Sequence, residues 1–216
     1  QPNSAEPVNY TFNNGDTMIS MKNLGIKGLL ASMAIACSLT LPAVAAEISG
    51  VKFADTVKVA GSDLKLNGLG MRTKVVFKVY AAGLYLTEKK STPAEIMTVA
   101  GPRRVTLVMM RDLTSDEFGE AFMTGLNKNL SQAEKSQIVS QISKFGQIFG
   151  SIERLKKGDV LNLDWIPGTG TQVELNGRRI GDTLPDVAFY NAILRIWIGD
   201  KPADRSLKPA LLGTRD

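Results

Sequence analysis

The chain has 216 residues, of which 44% are hydrophobic and 22% charged, and its formal net charge is +5. This is the balance of an ordinary globular protein with one domain and a real core. The chain contains no histidine, which excludes imidazole acid–base chemistry and histidine-ligated metals, and we expect neither a metal nor a cofactor. Basic and acidic residues are interspersed. The densest basic runs, such as Arg103-Arg104, are predicted to be solvated at element ends, so we expect no nucleic-acid partner.

The first 46 residues are predicted to lie outside the folded domain. Residues 1–20 are polar and read as an upstream, disordered segment. Residues 21–46 are typical of a secretory signal peptide, because Lys22 and Lys27 precede the apolar run 29–41 and small residues follow it. The run is too short for a comfortable membrane span. We therefore expect a periplasmic or secreted protein with no stable membrane span after cleavage.

Two processing routes are compatible with this segment. Cleavage after Ala45 or after Ala46 fits about equally well, and cleavage after Ala46 leaves a domain at residues 47–216. The alternative uses Cys37, the only cysteine, as a lipid attachment site. If Cys37 is removed with the signal peptide, the mature protein has no thiol or disulfide and depends on its core for stability.

The first half of the domain is predicted to be rich in strands. Apolar and polar residues alternate over Val51–Phe53 and Thr56–Val59, as in half-buried strands. Another strand begins near residue 64, and 75–86 reads as the longest strand. The small residues Ala81, Ala82 and Gly83 within it indicate close approach by a helix or a ligand. An apolar strand is predicted over 105–110.

Helices follow, and their first residues are well marked. Thr92 and Pro93 begin a short helix. Capping boxes that start at Thr114 and Ser131 predict consecutive helices over about 115–129 and 132–149. Each has an apolar stripe suited to packing on a sheet.

The last part of the chain returns to strands and ends in helices. A strand is predicted over Val160–Ile166, and Asn176-Gly177 is a strong signal for a type I′ hairpin. Helices are predicted over 185–198 and 203–212. The whole order indicates an α+β fold, an antiparallel sheet with helices packed on one face.

Two side chains are candidates for binding an acid. The guanidinium of Arg72 offers planar, bidentate recognition of a carboxylate or enolate, although a solvated turn arginine fits its neighbours equally well. The phenol of Tyr80 needs a partner if it is buried, and a core tyrosine with its hydroxyl at the rim is the alternative. On one straight strand these residues would be about 26 Å apart. They can meet only if the chain turns or bulges near residues 73–75.

The segment Leu66–Arg72, followed by Lys78–Leu86, resembles the signature of the chalcone isomerase-like superfamily, and most closely its bacterial exported branch. In plant enzymes of that family, a Gly-Ala-Gly-Val-Arg-type segment leads into a Lys-Phe-Thr-Ala-Ile-Gly-Val-Tyr-Leu-type strand. Arg72 falls on the family's active-site arginine and Tyr80 on its active-site threonine. The resemblance covers most of the chain after residue 46.

The resemblance implies an open-faced β-sandwich with the ligand cleft between sheet and helices. The plant enzymes also use a tyrosine and an asparagine, whose positions fall on Phe118 and Gly125 here. Neither residue can replace the missing polar group. The combination of Arg72 and Tyr80 instead resembles the fatty-acid-binding members of the superfamily, in which that pair holds the carboxylate.

We therefore expect an exported, non-catalytic binding protein for a hydrophobic carboxylate such as a fatty acid. Arg72 and Tyr80 would hold the head group, and Met110, Phe118 and Phe122 would cover the tail. Four methionines suit an adaptable apolar cavity, although each would serve equally well as core filling; they are Met97, Met109, Met110 and Met123.

Two alternatives to a binding protein remain. One is an isomerase of the chalcone isomerase type, an intramolecular lyase acting on an enone or flavonoid-like substrate. The other is an envelope interaction module without a small ligand. The sequence specifies neither the identity of the ligand nor the oligomeric state.

Overall fold

The structure is a computed structural model that describes residues 46–214. The predicted segment 1–20, Cys37 and the predicted signal peptide 21–46, apart from Ala46, lie outside the described residues. The strands are β1 (Ala46–Ile48), β2 (Val51–Phe53), β3 (Thr56–Val59), β4 (Ser62–Lys74), β5 (Phe77–Leu86), β6 (Arg103–Met109), β7 (Leu113–Thr114), β8 (Arg154–Leu155), β9 (Val160–Ile166), β10 (Gly170–Leu175) and β11 (Arg178–Leu184). The helices are α1 (Pro93–Thr98), α2 (Ser115–Asn129), α3 (Gln132–Gln137), α4 (Val139–Gly150), α5 (Val187–Ile198) and α6 (Leu207–Leu211).

Seven strands form one antiparallel sheet in the order β11-β10-β9-β6-β5-β4-β3. The main core lies between one face of this sheet and α2, α4, α5 and α6. A smaller core on the opposite face contains residues of the β1–β2 hairpin. The predicted α+β fold is therefore confirmed.

The interior strand β5 is buried on both faces. Ala82 and Leu84 belong to the core under the helices, whereas Ala81 and Tyr85 belong to the core on the other face. A Cβ at Gly83 would lie 2.7 Å from the ring of Phe53 in β2. The prediction that a helix or ligand approaches Gly83 is therefore wrong, because an aromatic ring of the hairpin occupies that space.

The strand predicted over 75–86 begins two residues later, at Phe77. Val75 and Val76 form a two-residue turn between β4 and β5, and β4, with 13 residues, is the longer strand. Val75 has φ +60°, a conformation that β-branched residues rarely adopt. Periodicity missed this turn because two valines read as strand continuation.

The predicted helices around the cavity are mostly confirmed. The capping box at Thr114 begins α2, and Phe118, Phe122 and Leu126 form its buried stripe. The predicted helix over 132–149 is divided in two, because the chain leaves helical geometry at Ile138 (φ −115°, ψ 15°). The side chain of Ile138 is buried at this break. The break allows α4 to pack on α2 and β11.

The short C-terminal helix α6 packs directly on β4. A Cβ at Gly68 would overlap the carbonyl oxygens of Ala210 and Leu211. A Cβ at Gly70 would lie 2.5 Å from the side chain of Leu207. Glycine is thus required here for close approach of the two backbones.

The predicted solvation of Arg103 and Arg104 is wrong, because both residues belong to β6. The buried guanidinium of Arg103 donates to the carbonyls of Ile96 and Met97. Arg104 forms two hydrogen bonds of 2.6 Å to the carboxylate of Asp164 in the next strand. Both arginines stabilise the sheet and its connection to α1.

No helix within residues 46–214 is long and apolar enough to cross a membrane. The same part of the chain contains no cluster of three or more side chains that could hold a metal ion.

Candidate functional site

A cavity of about 340 Å³ lies between the sheet and the helices. Strands β4 and β5 supply one wall, α2 supplies the opposite wall, and the end of α5 closes one side. The residues that line it include Arg72, Tyr80, Arg111, Phe118, Phe122, Gly125, Ile196 and Trp197.

The structure brings Arg72 and Tyr80 together. The β4–β5 turn folds the two strands back on each other, and the two residues pair directly across them. The guanidinium carbon of Arg72 lies over the Tyr80 ring, 5.4 Å from its centroid, in cation–π range. A register shift follows at Arg72/Thr73. The turn and bulge that the pairing requires are therefore present.

The hydroxyl of Tyr80 is fixed by a tryptophan. The indole N–H of Trp197 in α5 donates a hydrogen bond of 2.7 Å to the phenol oxygen. Burial raises the pKa of Tyr80, against the opposing influence of the Arg72 charge and the Trp197 hydrogen bond. The phenol is therefore neutral at physiological pH. Its oxygen accepts from Trp197, and its own proton remains available to a ligand.

Arg72 has no acidic partner in the part of the chain that the structure describes. No carboxylate among residues 46–214 lies within 4.0 Å of its guanidinium. Its positive charge is half-buried at the cavity. An unpaired guanidinium in a partly desolvated site is well suited to a charged, bidentate ligand.

Asp204 holds the backbone next to Arg72. Its Oδ2 accepts the backbone N–H of Thr73 at 2.9 Å, and its Oδ1 accepts the N–H and hydroxyl of Ser206. Burial favours the protonated form of Asp204, but these hydrogen bonds outweigh it and hold the pKa of the carboxyl below its usual value. The ionised carboxylate thus keeps the bulge after Arg72 in place.

Arg111 is a second cation in the lining. It donates to Glu117 at 3.4 Å, and its Nε is buried without a hydrogen-bond partner among the described residues. Such orphaned donors are uncommon in folded proteins. Sequence reasoning missed Arg111 because it follows a strand without any motif around it.

The apolar wall of the cavity comes from α2. Phe118 and Phe122 line it, and each is stacked from behind on a ring of α4. The ring centroids of Phe118 and Phe149 are 4.4 Å apart, and those of Phe122 and Phe145 are 4.3 Å apart. These contacts fix the position of the wall.

Met110, which was predicted to contact a ligand tail, is not among the residues that line the cavity. Side chains alternate between the faces of a strand, and it is Met109 that is buried in the core under the helices. Met110 follows the end of β6, where its N–H donates to Val79. Met97 and Met123 are also absent from the lining, so none of the four methionines contacts the cavity.

The position that carries asparagine in the plant enzymes has no space for a side chain. A Cβ at Gly125 would lie 2.8 Å from Cγ2 of Ile196 in α5. Close packing of α2 on α5 therefore requires glycine. Phe118, at the tyrosine position, provides a ring without a hydroxyl.

Comparison with known proteins agrees with this architecture. The sequence profile described as chalcone isomerase-like matches residues 45–213. The chain belongs to the chalcone isomerase-like family. The search of curated proteins gave no match.

A solved structure shows the same fold. The chalcone isomerase-like domain superposes on a fatty-acid binding protein from Arabidopsis thaliana (AtFAP1) with a TM-score of 0.60 and 18% sequence identity. The alignment covers 78% of this chain and 96% of the Arabidopsis chain. At this identity the similarity establishes the fold, and the role of the cavity must be argued from its own residues.

Proposed function

We propose that this chalcone isomerase-like domain binds a hydrophobic carboxylate, such as a fatty acid, in the cavity beside Arg72 and Tyr80. The observation that carries the proposal is the combination of these two groups. An arginine without a carboxylate partner lies against a neutral phenol whose oxygen is held by Trp197. One carboxylate oxygen would accept from the guanidinium, and the other would accept from the Tyr80 hydroxyl.

The charge around the cavity supports an anionic head group. Its lining contains five basic side chains and two acidic ones. The basic ones are Arg72, Lys74, Arg111, Lys128 and Lys201, and the acidic ones are Glu117 and Glu120. Glu117 is engaged in the α2 capping box and with Arg111. The remaining excess of positive charge favours an acid over a neutral lipid.

The size of the cavity supports a small-molecule ligand. Its volume of about 340 Å³ lies within the range of about 300–1,000 Å³ that is usual for ligand sites. Phe118, Phe122 and Ile196 would contact the tail of the acid. The fatty-acid binding described for the Arabidopsis structure supports the same class of ligand.

A titration with matched ligands tests the proposal. Decanoate and decanol have the same tail, and only decanoate carries the charge that Arg72 would bind. We expect decanoate to bind at least tenfold more tightly, because a hydrogen bond to a charged group contributes about 1.5–3 kcal/mol. Equal affinity for decanoate and decanol would contradict the head-group assignment.

Mass spectrometry of lipids that co-purify with the protein should recover free fatty acids.

We also propose that the protein is exported and acts in the periplasm or outside the cell. Support comes from the signal-peptide pattern of residues 21–46. N-terminal sequencing of the protein from the cell envelope should begin at Ala46 or Glu47. If the first residue is instead Cys37 and it carries a lipid, the protein is a lipoprotein.

A further inference from the structure

The tip of the β4–β5 hairpin exposes three consecutive apolar side chains. Val75 is 89% exposed, Val76 is 76% exposed and Phe77 is 65% exposed. The other strongly exposed large apolar side chains of residues 46–214 are isolated from one another in sequence. Single exposed apolar residues are ordinary, whereas a contiguous group marks an interaction surface.

The backbone conformation makes valine an unusual residue at position 75. Lys74 and Phe77 pair across the end of the hairpin, so Val75 is the first residue of a two-residue turn. It has φ +60°. Val76 does not have a positive φ, so the turn has the pattern of type II′, in which glycine is preferred at the first position because a Cβ is strained there. A β-branched valine therefore opposes the local fold, and such conflicts are expected where a side chain serves a function.

The tip adjoins the mouth of the cavity. Arg72, Thr73 and Lys74 immediately precede it in β4 and contribute to the cavity lining. Lys74 and Lys78 are exposed on either side of the three apolar residues. Apolar side chains flanked by lysines, beside an opening lined mainly by basic groups, complement a surface that is apolar inside and anionic outside.

We infer that residues 74–78, the apolar tip with its two lysines, dock on an anionic lipid bilayer. Val75, Val76 and Phe77 would enter the interface, and the lysines would contact the phosphate groups of the lipids. The mouth of the cavity would then face the membrane, so that an acid could pass between bilayer and cavity. This passage rests on the proposed function, whereas the docking does not.

Vesicle binding tests the docking. The protein is purified from cells that express the whole chain, and all variants are compared with the same sequenced N-terminus. Co-sedimentation is measured with phosphatidylcholine vesicles and with vesicles that contain phosphatidylglycerol. We expect Val75→Ser/Val76→Ser/Phe77→Ser to bind the anionic vesicles at least tenfold more weakly than wild type, and Lys74→Gln/Lys78→Gln to lose most of the preference for them. Val139→Ser, which changes a valine that is 63% exposed on α4, is the matched control and should bind as wild type does.

A tryptophan at the tip reports its location directly. Phe77→Trp should show a blue-shifted emission with anionic vesicles and quenching by lipids with brominated acyl chains. Trp165 and Trp197 provide the background, which is measured in the wild-type protein. An emission that does not respond to vesicles would overturn the proposal.

Val75→Gly separates the docking role from a structural one. Glycine relieves the strain of the positive φ, so we expect the melting temperature to stay equal or rise while vesicle binding weakens. A sharp drop in melting temperature would show that Val75 supports the fold, and the inference would fail.

The remaining measurements distinguish this inference from the proposed function. Decanoate binding in vesicle-free solution should be unchanged in the triple serine variant, because none of the three side chains lines the cavity. If the wild-type protein binds anionic vesicles but does not bind decanoate, the proposed function is wrong and the docking inference is unaffected. Equal vesicle binding by wild type and the triple variant would overturn the docking. So would tip-dependent dimerisation without vesicle binding, which would identify a second copy of the chain as the partner.

Discussion

The indole nitrogen Nε1 of Trp197 lies 2.7 Å from the phenol oxygen of Tyr80 and donates a hydrogen bond to it, although the two residues are 117 positions apart in the chain. This hydrogen bond connects the last turn of α5 to the interior strand β5 of the sheet. Both side chains are buried, and the indole N–H depends on the Tyr80 oxygen for its hydrogen bond. The bond therefore contributes to the fold and also determines where the Tyr80 proton can point.

Tyr80→Phe and Trp197→Phe should interact in a double-mutant cycle. Tyr80→Phe leaves the indole N–H buried and unpaired, which should lower the free energy of unfolding by about 1–3 kcal/mol. The double variant contains no orphaned donor. Its free energy of unfolding should therefore fall by less than the sum of the decreases in the two single variants. Urea unfolding measures stability, and titration should show decanoate affinity roughly tenfold weaker whenever Tyr80 is absent. Strictly additive stabilities would contradict the coupling.

Arg72→Ala should weaken decanoate binding about ten- to a hundredfold, because it removes a charge-assisted hydrogen bond worth about 1.5–3 kcal/mol. Arg72→Lys should recover only part of the affinity, since a single ammonium does not reproduce the planar guanidinium. The control is Arg178→Ala, at an exposed arginine in β11, and it should bind as wild type does. Unchanged affinity with a sharply lower melting temperature would identify Arg72 as a structural residue.

Asp204→Asn should lower the free energy of unfolding in a pH-dependent manner. The folded-state pKa of Asp204 is depressed, so its carboxylate stabilises the fold at neutral pH. This contribution is complete above the unfolded pKa of about 3.9 and is lost as the pH falls through the lower folded value. Urea unfolding should therefore show a difference from wild type at pH 7 that shrinks below about pH 4. Asp182→Asn, at an exposed position, is the control and should show no difference.

Gly68→Ala should destabilise the fold severely. The added methyl group would overlap the backbone carbonyl of Ala210, and a backbone atom cannot move aside as a side chain can. We expect a loss of about 3 kcal/mol or more, at the upper end of overpacking effects. The control is Gly146→Ala in α4, where nothing lies within 4 Å of the new Cβ. It should be neutral or should stabilise the protein by up to about 1 kcal/mol, and similar melting curves for the two variants would contradict the packing of α6 on β4.

The wild-type protein should not cyclise a chalcone enantioselectively. Phe118 has no hydroxyl. Ile196 packs so close to Gly125 that no side chain fits at that position. Because uncatalysed cyclisation also forms the flavanone, chirality is the informative measurement. A single enantiomer formed well above the buffer rate would support the isomerase alternative.

Elements with local signals were predictable from the sequence. The capping boxes at Thr114 and Ser131 and the type I′ turn at Asn176-Gly177 each depend on a few neighbouring residues, and the structure contains all of them. The turn at Val75 and the helix break at Ile138 were missed, because apolar residues there continue the surrounding periodicity.

The candidate site was only partly predictable, because its geometry is non-local. Arg72 and Tyr80 were recognised by family resemblance, and their pairing depends on a turn that has no sequence signal. Trp197 and Asp204 reach the site from distant positions, so no spacing indicates them. Met110 does not line the cavity, because β6 ends at Met109 and it is Met109 that faces the core.

The two stacked phenylalanine pairs have a consequence for how ligand preference could diverge among relatives. Phe145 and Phe149 of α4 do not line the cavity, yet they support the rings that do. Replacing either with a smaller residue would let α2 move toward α4 and would lengthen the cavity, without altering the surroundings of Arg72 and Tyr80. Under the proposed function, relatives with an identical arginine–tyrosine pair would then differ in acyl-chain preference through residues that do not contact the ligand.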